Sequence, residues 1–242
     1  MNADKLVYLS QINIFRDLDE ASLKTIDAIA PMTTVRAGVV VMRPGDRAPA
    51  LYLLKRGRVR LYKIHPDGRE LTLSMLRDGN VFGSTGEITL GSEDMYAQTV
   101  EDAMLCAMRK PDVERLLQLH PEVGVRLLEV LSQRIRSLET LLESLAYEGV
   151  QERVLRLLLR LGDEFGVREG VFTRIDMTLT HDELATMVGS TRETVTATLS
   201  RLAAQGLVRT GRRMVAIQSD EARAFLSSAR ATRPRRPHTG EG

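Results

Sequence analysis

The sequence predicts an α+β chain in three parts: an antiparallel β domain, a long amphipathic helix, and a C-terminal domain of short capped helices with a β-hairpin. Three observations carry that reading. Between Val35 and Met108, runs of roughly five residues rich in Val, Leu, Tyr and Thr alternate with turn signals about ten residues apart. Between Pro121 and Tyr147 only Gly124 interrupts the helix formers, and leucines recur at helical spacing. From Thr180 onward, two capping signals flank Gly189.

Size and charge exclude several classes. The 242 residues suffice for a large domain or two small ones, and the 43% apolar and 27% charged fractions are ordinary for a globular chain. Net charge is only +2, but its distribution is uneven: Arg201–Arg213 and Arg230–Arg236 hold eight Arg and no Asp or Glu. A C-terminal basic excess of this kind suits a nucleic-acid surface. The single cysteine, Cys106, excludes an intrachain disulfide and cannot by itself hold a zinc or iron–sulfur site. Flanked by Leu105 and Ala107, it reads as a small core residue. Met1–Lys5 lacks a signal-peptide run, and Arg156 and Arg160 break the most apolar stretch, Val154–Leu161. The expectation is a cytoplasmic protein with no membrane segment.

The elements follow in order. Phe15–Ala30 reads as an amphipathic helix with Asp19 as N-cap and Leu23, Ile26 and Ile29 on one face. Turns at Pro44-Gly45-Asp46, Arg56-Gly57, Pro66-Asp67-Gly68, Asp78-Gly79 and Leu90-Gly91-Ser92 then separate short strands into a barrel or sandwich. Arg58–Ile64 alternates polar and apolar residues, and Asp67-Gly68 turns it back into Leu71–Leu73. His65, beside Pro66, reads as a turn residue.

In the long helix, Leu128, Leu131, Ile135, Leu138, Leu142 and Leu145 step by three, four, three, four and three. That reads as the apolar seam of a parallel dimer, with Arg134, Arg136, Glu139 and Glu143 as its edges; an amphipathic helix lying on its own domain is the alternative. Gln151–Gly162 forms a further helix with Val154, Leu157, Leu158 and Leu161 inward. A loop containing Gly162, Gly166 and Gly170 follows it.

Thr180-His181-Asp182-Glu183 is a capping box that opens a helix, and Gly189 ends it. A second helix starts from Ser190 or Thr191, with Val195, Leu199 and Leu202 as its buried stripe. Arg192, Glu193, Thr196, Ala197, Ser200 and Ala204 fall on the opposite face. Small polar residues let such a helix enter the major groove, where Arg reads guanine and Glu reads cytosine. Gly206-Leu207-Val208 and Val215-Ala216-Ile217 bracket Arg209, Arg212 and Arg213, a wing carrying three cations. The unit is a winged helix-turn-helix. Arg192, Glu193, Thr196 and Ser200 are its candidate base contacts; Thr180, Thr191, Thr194, Arg209, Arg212 and Arg213 are its candidate phosphate contacts. Ser227–Gly242, with two Pro and four Arg, is expected to be a disordered basic tail. The expected domains are residues 1–120, 121–148 and 149–226, then this tail.

Taken together, these residues resemble the cAMP receptor protein/FNR family from Phe15 to Phe225. The β half carries Arg43-Pro44-Gly45-Asp46, Leu51-Tyr52, Gly57, Asp67–Leu71 and Gly79-Asn80-Val81-Phe82-Gly83; the C-terminal half carries Glu183-Leu184-Ala185, Val188-Gly189 and Thr191–Val195. The resemblance implies a cyclic-nucleotide-binding-like β-roll, a dimerisation helix and a homodimer on a palindromic double-stranded DNA site. It also implies RNA polymerase as partner and, more often, activation. By the same resemblance Arg192 and Glu193 stand at the family's guanine- and cytosine-reading positions. Ala197 replaces a second base-reading Arg, so a TGTGA-like half-site with relaxed choice at one position is expected.

The effector pocket implied by the family is degenerate here. Its cyclic phosphate is held by an Arg-Ser pair and its ribose by a Glu; alignment through Phe82-Gly83 places Asp94, Met95 and Ser84 at those positions. Sliding the alignment to use Gly86-Glu87 restores the carboxylate but supplies no Arg before Arg109. On the long helix Leu138-Glu139 replaces the family's Thr-Ser pair. Binding without cAMP, and without any cofactor or metal, is therefore the expectation. A regulator dependent on cAMP or another small effector is the alternative, and a nucleotide sensor without DNA binding a further one. An enzyme is not expected, since no catalytic set or phosphate loop appears; Gly83-Ser84-Thr85-Gly86 is a turn.

Overall fold

A computed structural model describes residues 9–47, 49–90, 94–211 and 213–231 of the chain. Contacts divide it into two compact units between Leu142 and Glu143, inside the long helix rather than at its end.

The first unit opens with α1 (Glu20–Ile29), whose N-cap is Asp19: its Oδ1 accepts the Ser22 amide at 2.8 Å. Eight strands follow: β1 (Met32–Val35), β2 (Val40–Met42), β3 (Leu51–Arg56), β4 (Val59–Ile64), β5 (Glu70–Leu76), β6 (Val81–Gly83), β7 (Tyr96–Thr99) and β8 (Ala103–Met108). They pair antiparallel into two four-stranded sheets, β1-β8-β3-β6 and β2-β7-β4-β5. The β4–β5 hairpin closes at the expected turn, with Ile64 opposite Glu70 and His65 Nδ1 2.9 Å from Asp67.

The period-2 rule explains how β3 and β8 serve two cores. Leu54, Ala103 and Leu105 face the inter-sheet core with Val59, Leu61 and Phe82. Leu51, Leu53, Cys106 and Met108 face a second core built with Phe15, Leu23, Ile26, Val113, Leu116, Val123 and Leu127. Cys106 is wholly buried there, as its sequence neighbours suggested. Phe15 precedes α1 in a turn; the other residues come from α1, α2 (Lys110–Leu119) and the start of α3 (Pro121–Tyr147). Lys55 on β3 is also fully buried, its Nζ 3.7 Å from the Asp27 carboxylate of α1.

The second unit is organised around α4 (Val150–Phe165), one of whose faces buries Val154, Leu157, Leu158, Leu161 and Phe165. After it come β9 (Gly166–Glu169), β10 (Phe172–Ile175), α5 (His181–Val188), α6 (Arg192–Ala204), β11 (Val208–Gly211), β12 (Met214–Ile217) and α7 (Ser219–Ala231). The sheet order is β11-β12-β10-β9, and α4 packs on α5, α6, α7 and that sheet.

Two expectations are corrected here. The segment expected as a glycine loop is instead the end of α4 followed by the β9–β10 hairpin. Gly162 lies within the helix, and Gly166 permits a close crossing: a Cβ there would sit 2.1 Å from the Gly162 carbonyl oxygen and 2.3 Å from Thr173. Residues 227–231 belong to α7 rather than to a tail, because Ala222 and Leu226 are buried and anchor the helix; residues 232–242 lie outside the described residues. Among the described residues no helix is long and apolar enough to cross a membrane.

Candidate nucleic-acid interface

Helix α5 begins at the capping box read from the sequence. The Glu183 amide donates to Thr180 Oγ1 at 3.1 Å, and the Thr180 amide donates to Glu183 Oε2 at 2.7 Å. Gly189 takes the left-handed conformation (φ 61°, ψ 50°), which a side chain would disfavour, and the Ser190 amide donates to the Ala185 carbonyl at 3.0 Å. Helix α6 is then capped by Thr191, resolving the choice with Ser190: Thr191 Oγ1 accepts the Thr194 amide at 3.2 Å. Arg153 holds the pair from behind, donating from Nε to the Val188 carbonyl and from Nη1 to the Glu148 carbonyl, both at 2.9 Å.

Val195, Thr198, Leu199 and Leu202 are the buried side of α6, which leaves Arg192, Glu193, Thr196, Ala197 and Ser200 exposed together on the other. The hydroxyls on that side are already engaged with the helix. Thr196 Oγ1 donates to the Arg192 carbonyl at 2.8 Å, and Ser200 Oγ donates to the Thr196 carbonyl at 3.1 Å. His181 Nδ1, from the first turn of α5, lies 2.8 Å from Thr196 Oγ1. This contact bridges the two helices and was not visible as a sequence signal; only their crossing brings the residues together.

The wing is the β11–β12 hairpin, with Gly211 opposite Met214. Arg209 and Arg213 are exposed, and Arg213 is the only non-glycine with positive φ (58°) among the described residues. The Arg209 guanidinium lies 3.9 Å from the Phe172 ring centroid, a cation–π contact that orients it. Arg212 lies outside the described residues. Thr180 and Thr194 spend part of their hydrogen-bonding capacity at the caps, where Thr180 Oγ1 meets Glu183 Oε2 at 2.8 Å and Thr194 Oγ1 meets Thr191 Oγ1 at 2.9 Å.

Two family models match this architecture: a cyclic nucleotide-binding domain over residues 32–120 and a Crp-like helix-turn-helix domain over residues 152–222. The cyclic AMP receptor protein of Thermus thermophilus is 35% identical over 174 residues, covering 72% of this chain and 77% of that protein. The chain is a member of the CRP/FNR family. The CRP-like cAMP-activated global transcriptional regulator of Mycobacterium tuberculosis is 28% identical over 213 residues, covering 88% of this family member and 95% of that protein. Among solved structures, the c-di-GMP responsive global regulator of Xanthomonas campestris superposes with a TM-score of 0.70 at 25% identity over 82% of this chain and 99% of that one. The relatives are DNA-binding transcription regulators, not enzymes, and so is this CRP/FNR protein.

The first unit contains a cavity of about 200 Å³ between the β2–β3 and β6–β7 connections. Its walls include Arg43, Asp46, Tyr52, Ser84, Gly86 and Asp94, with Tyr52 stacked on Phe82. Of the degenerate-pocket residues, Ser84 and Asp94 line it; Glu87, Met95, Leu138 and Glu139 do not. Glu87 is exposed and pairs with Lys110, Met95 is buried in the inter-sheet core, and Glu139 is exposed on α3. Arg134, read from the sequence as a seam edge, turns inward and donates to the Leu90 carbonyl; burial lowers its pKa to about 10.

The stripe on α3 also divides. Leu128, Ile135 and Leu142 are 63%, 57% and 68% exposed, whereas Leu131 leans on its own core and Leu138 and Leu145 are half-buried.

Proposed function

We propose that this regulator binds a palindromic, TGTGA-like DNA site as a homodimer joined along α3, and that its DNA-binding form needs no cAMP. The observation that carries the dimer is the exposed apolar row Leu128, Ile135 and Leu142, one residue per heptad. Such a row is the seam of a two-stranded coiled coil. A two-fold pair presents two copies of α6, which suits an inverted repeat. Independence of cAMP is supported by Asp94 in the cavity wall, where the family resemblance requires a cation for the cyclic phosphate. An anion brought toward a carboxylate is repelled, and the lost charge-assisted contact is worth roughly 1.5–3 kcal/mol.

The second reading is effector control. It is favoured by the cavity itself, by the half-buried cation Arg134, and by relatives named for cAMP and c-di-GMP. In the first reading the regulator is more often an activator in the cytoplasm with RNA polymerase as partner; transcription in vitro from an operator-bearing template checks the sign.

Sedimentation of Ile135→Asp tests the dimer. Like charges across the seam are expected to give monomers that bind a half-site but lose the full palindrome. A stable dimer with unchanged operator affinity would contradict the reading.

A further inference from the structure

Resting on the assignment of α6 to the major groove, we propose that His181 is a specificity-determining positioning residue: it holds the Thr196 hydroxyl as a base-reading acceptor. The argument is one of hydrogen-bond capacity. A threonine hydroxyl has one proton and two lone pairs. The Thr196 proton lies toward the Arg192 carbonyl at 2.8 Å, so the 2.8 Å contact with His181 Nδ1 is completed by a proton on the imidazole. His181 therefore donates and Thr196 accepts. One lone pair of Thr196 remains, on the exposed side of α6 between Arg192 and Ser200. With its proton spent, Thr196 has only an acceptor to offer, and it selects an exocyclic amino group, cytosine N4 or adenine N6, over a carbonyl edge. Without His181 the Arg192 carbonyl is the one remaining anchor of the hydroxyl, and rotation away from it lets the group serve donor and acceptor edges alike.

The neighbouring position gives this contact its use. Ala197 is exposed on the same face and has no polar atom beyond its backbone, so readout around that position falls to its polar neighbours, Thr196 among them. His181 acts through Thr196 because its Nδ1 is committed to that hydroxyl across the helix pair.

The test is fluorescence-anisotropy binding of the full chain to operator duplexes in which each base pair of the half-site is varied in turn. Thr196→Val, which keeps the shape and removes the hydroxyl, is expected to flatten preference about fivefold at one position, the size of a single neutral hydrogen bond. His181→Ala should flatten the same position, and the double variant should lose no more than either alone. His181→Asn should restore the preference, since its amide places a donor where Nδ1 stood. Thermal melting of each variant separates loss of fold from loss of reading. A uniform loss across the panel for His181→Ala, additive losses, or failure of Asn to rescue would overturn the proposal. Arg192→Ala is the control: if it changes no position, the placement of α6 fails; if it does and His181→Ala does not, only this inference fails.

Discussion

The helix-turn-helix and the β-roll cavity are built over different distances along the chain. The caps of α5 and α6 join residues three apart, Thr180 to Glu183 and Thr191 to Thr194. The cavity instead gathers Met42, Tyr52, Ser84 and Asp94 from separate strands and turns, and elsewhere in the same unit an ion pair ties Lys55 of β3 to Asp27 of α1. Each cap is a nearly independent contribution, so single changes in the DNA-binding unit should act in small, additive amounts. The β-roll closes around groups that have no substitute once buried, so single changes there should be large.

The largest expected effect is therefore in the β-roll. Lys55 is fully buried with its Nζ facing Asp27 at 3.7 Å, and Asp27→Ala would leave that charge without its carboxylate. Urea denaturation should show a loss of about 3–5 kcal/mol, while the paired replacement Lys55→Met with Asp27→Leu should recover most of it. A loss below about 1 kcal/mol for Asp27→Ala would mean that the pair is not what couples α1 to β3.

An intermediate effect belongs to α6. Arg192→Ala should cost about 1–3 kcal/mol on the specific site and relax choice at one base pair. Arg213→Ala should instead weaken all sequences alike and lower the salt slope by about one. Anisotropy titrations at several salt concentrations separate the two, and a sequence-independent loss at Arg192 would remove it from the base-reading set.

The smallest effect is at the caps. Thr180→Ala should lower stability by about 1 kcal/mol, and Thr180→Ser by much less, since only the side-chain oxygen is needed. Thermal melts of both variants check this; a several-kcal/mol loss would show that Thr180 is tied into tertiary packing and erase the contrast with the β-roll.

What was legible in the sequence follows the same division. Asp19, Thr180 and Gly189 announced helix ends because a cap is satisfied within one turn. The heptad leucines announced a helix but not its surroundings: Leu131 and Leu128 have the same side chain, yet only the folded chain turns one to its own core and leaves the other exposed. Gly166 looked like a loop residue because a glycine needed for close approach reads the same as one needed for a turn, while Gly162 is a helical residue with room for a side chain. Arg134 could not be assigned a direction from its charge, and the His181–Thr196 contact joins residues fifteen apart on two helices. The cavity was legible only through the family resemblance, which named positions but not walls: Asp94 and Ser84 line it, while Met95 turns into the core.

On the reading proposed above, this regulator reaches its DNA-binding form without cAMP. A ligand shifts a conformational equilibrium only by its differential affinity for the two states, so if Asp94 keeps the cyclic phosphate out, cAMP can shift nothing. The direct measurement is calorimetric titration of the apo protein with cAMP beside operator binding with and without it. The account predicts no heat at micromolar cAMP and the same operator affinity in both arms. Micromolar cAMP binding, or operator binding that requires cAMP, would contradict it.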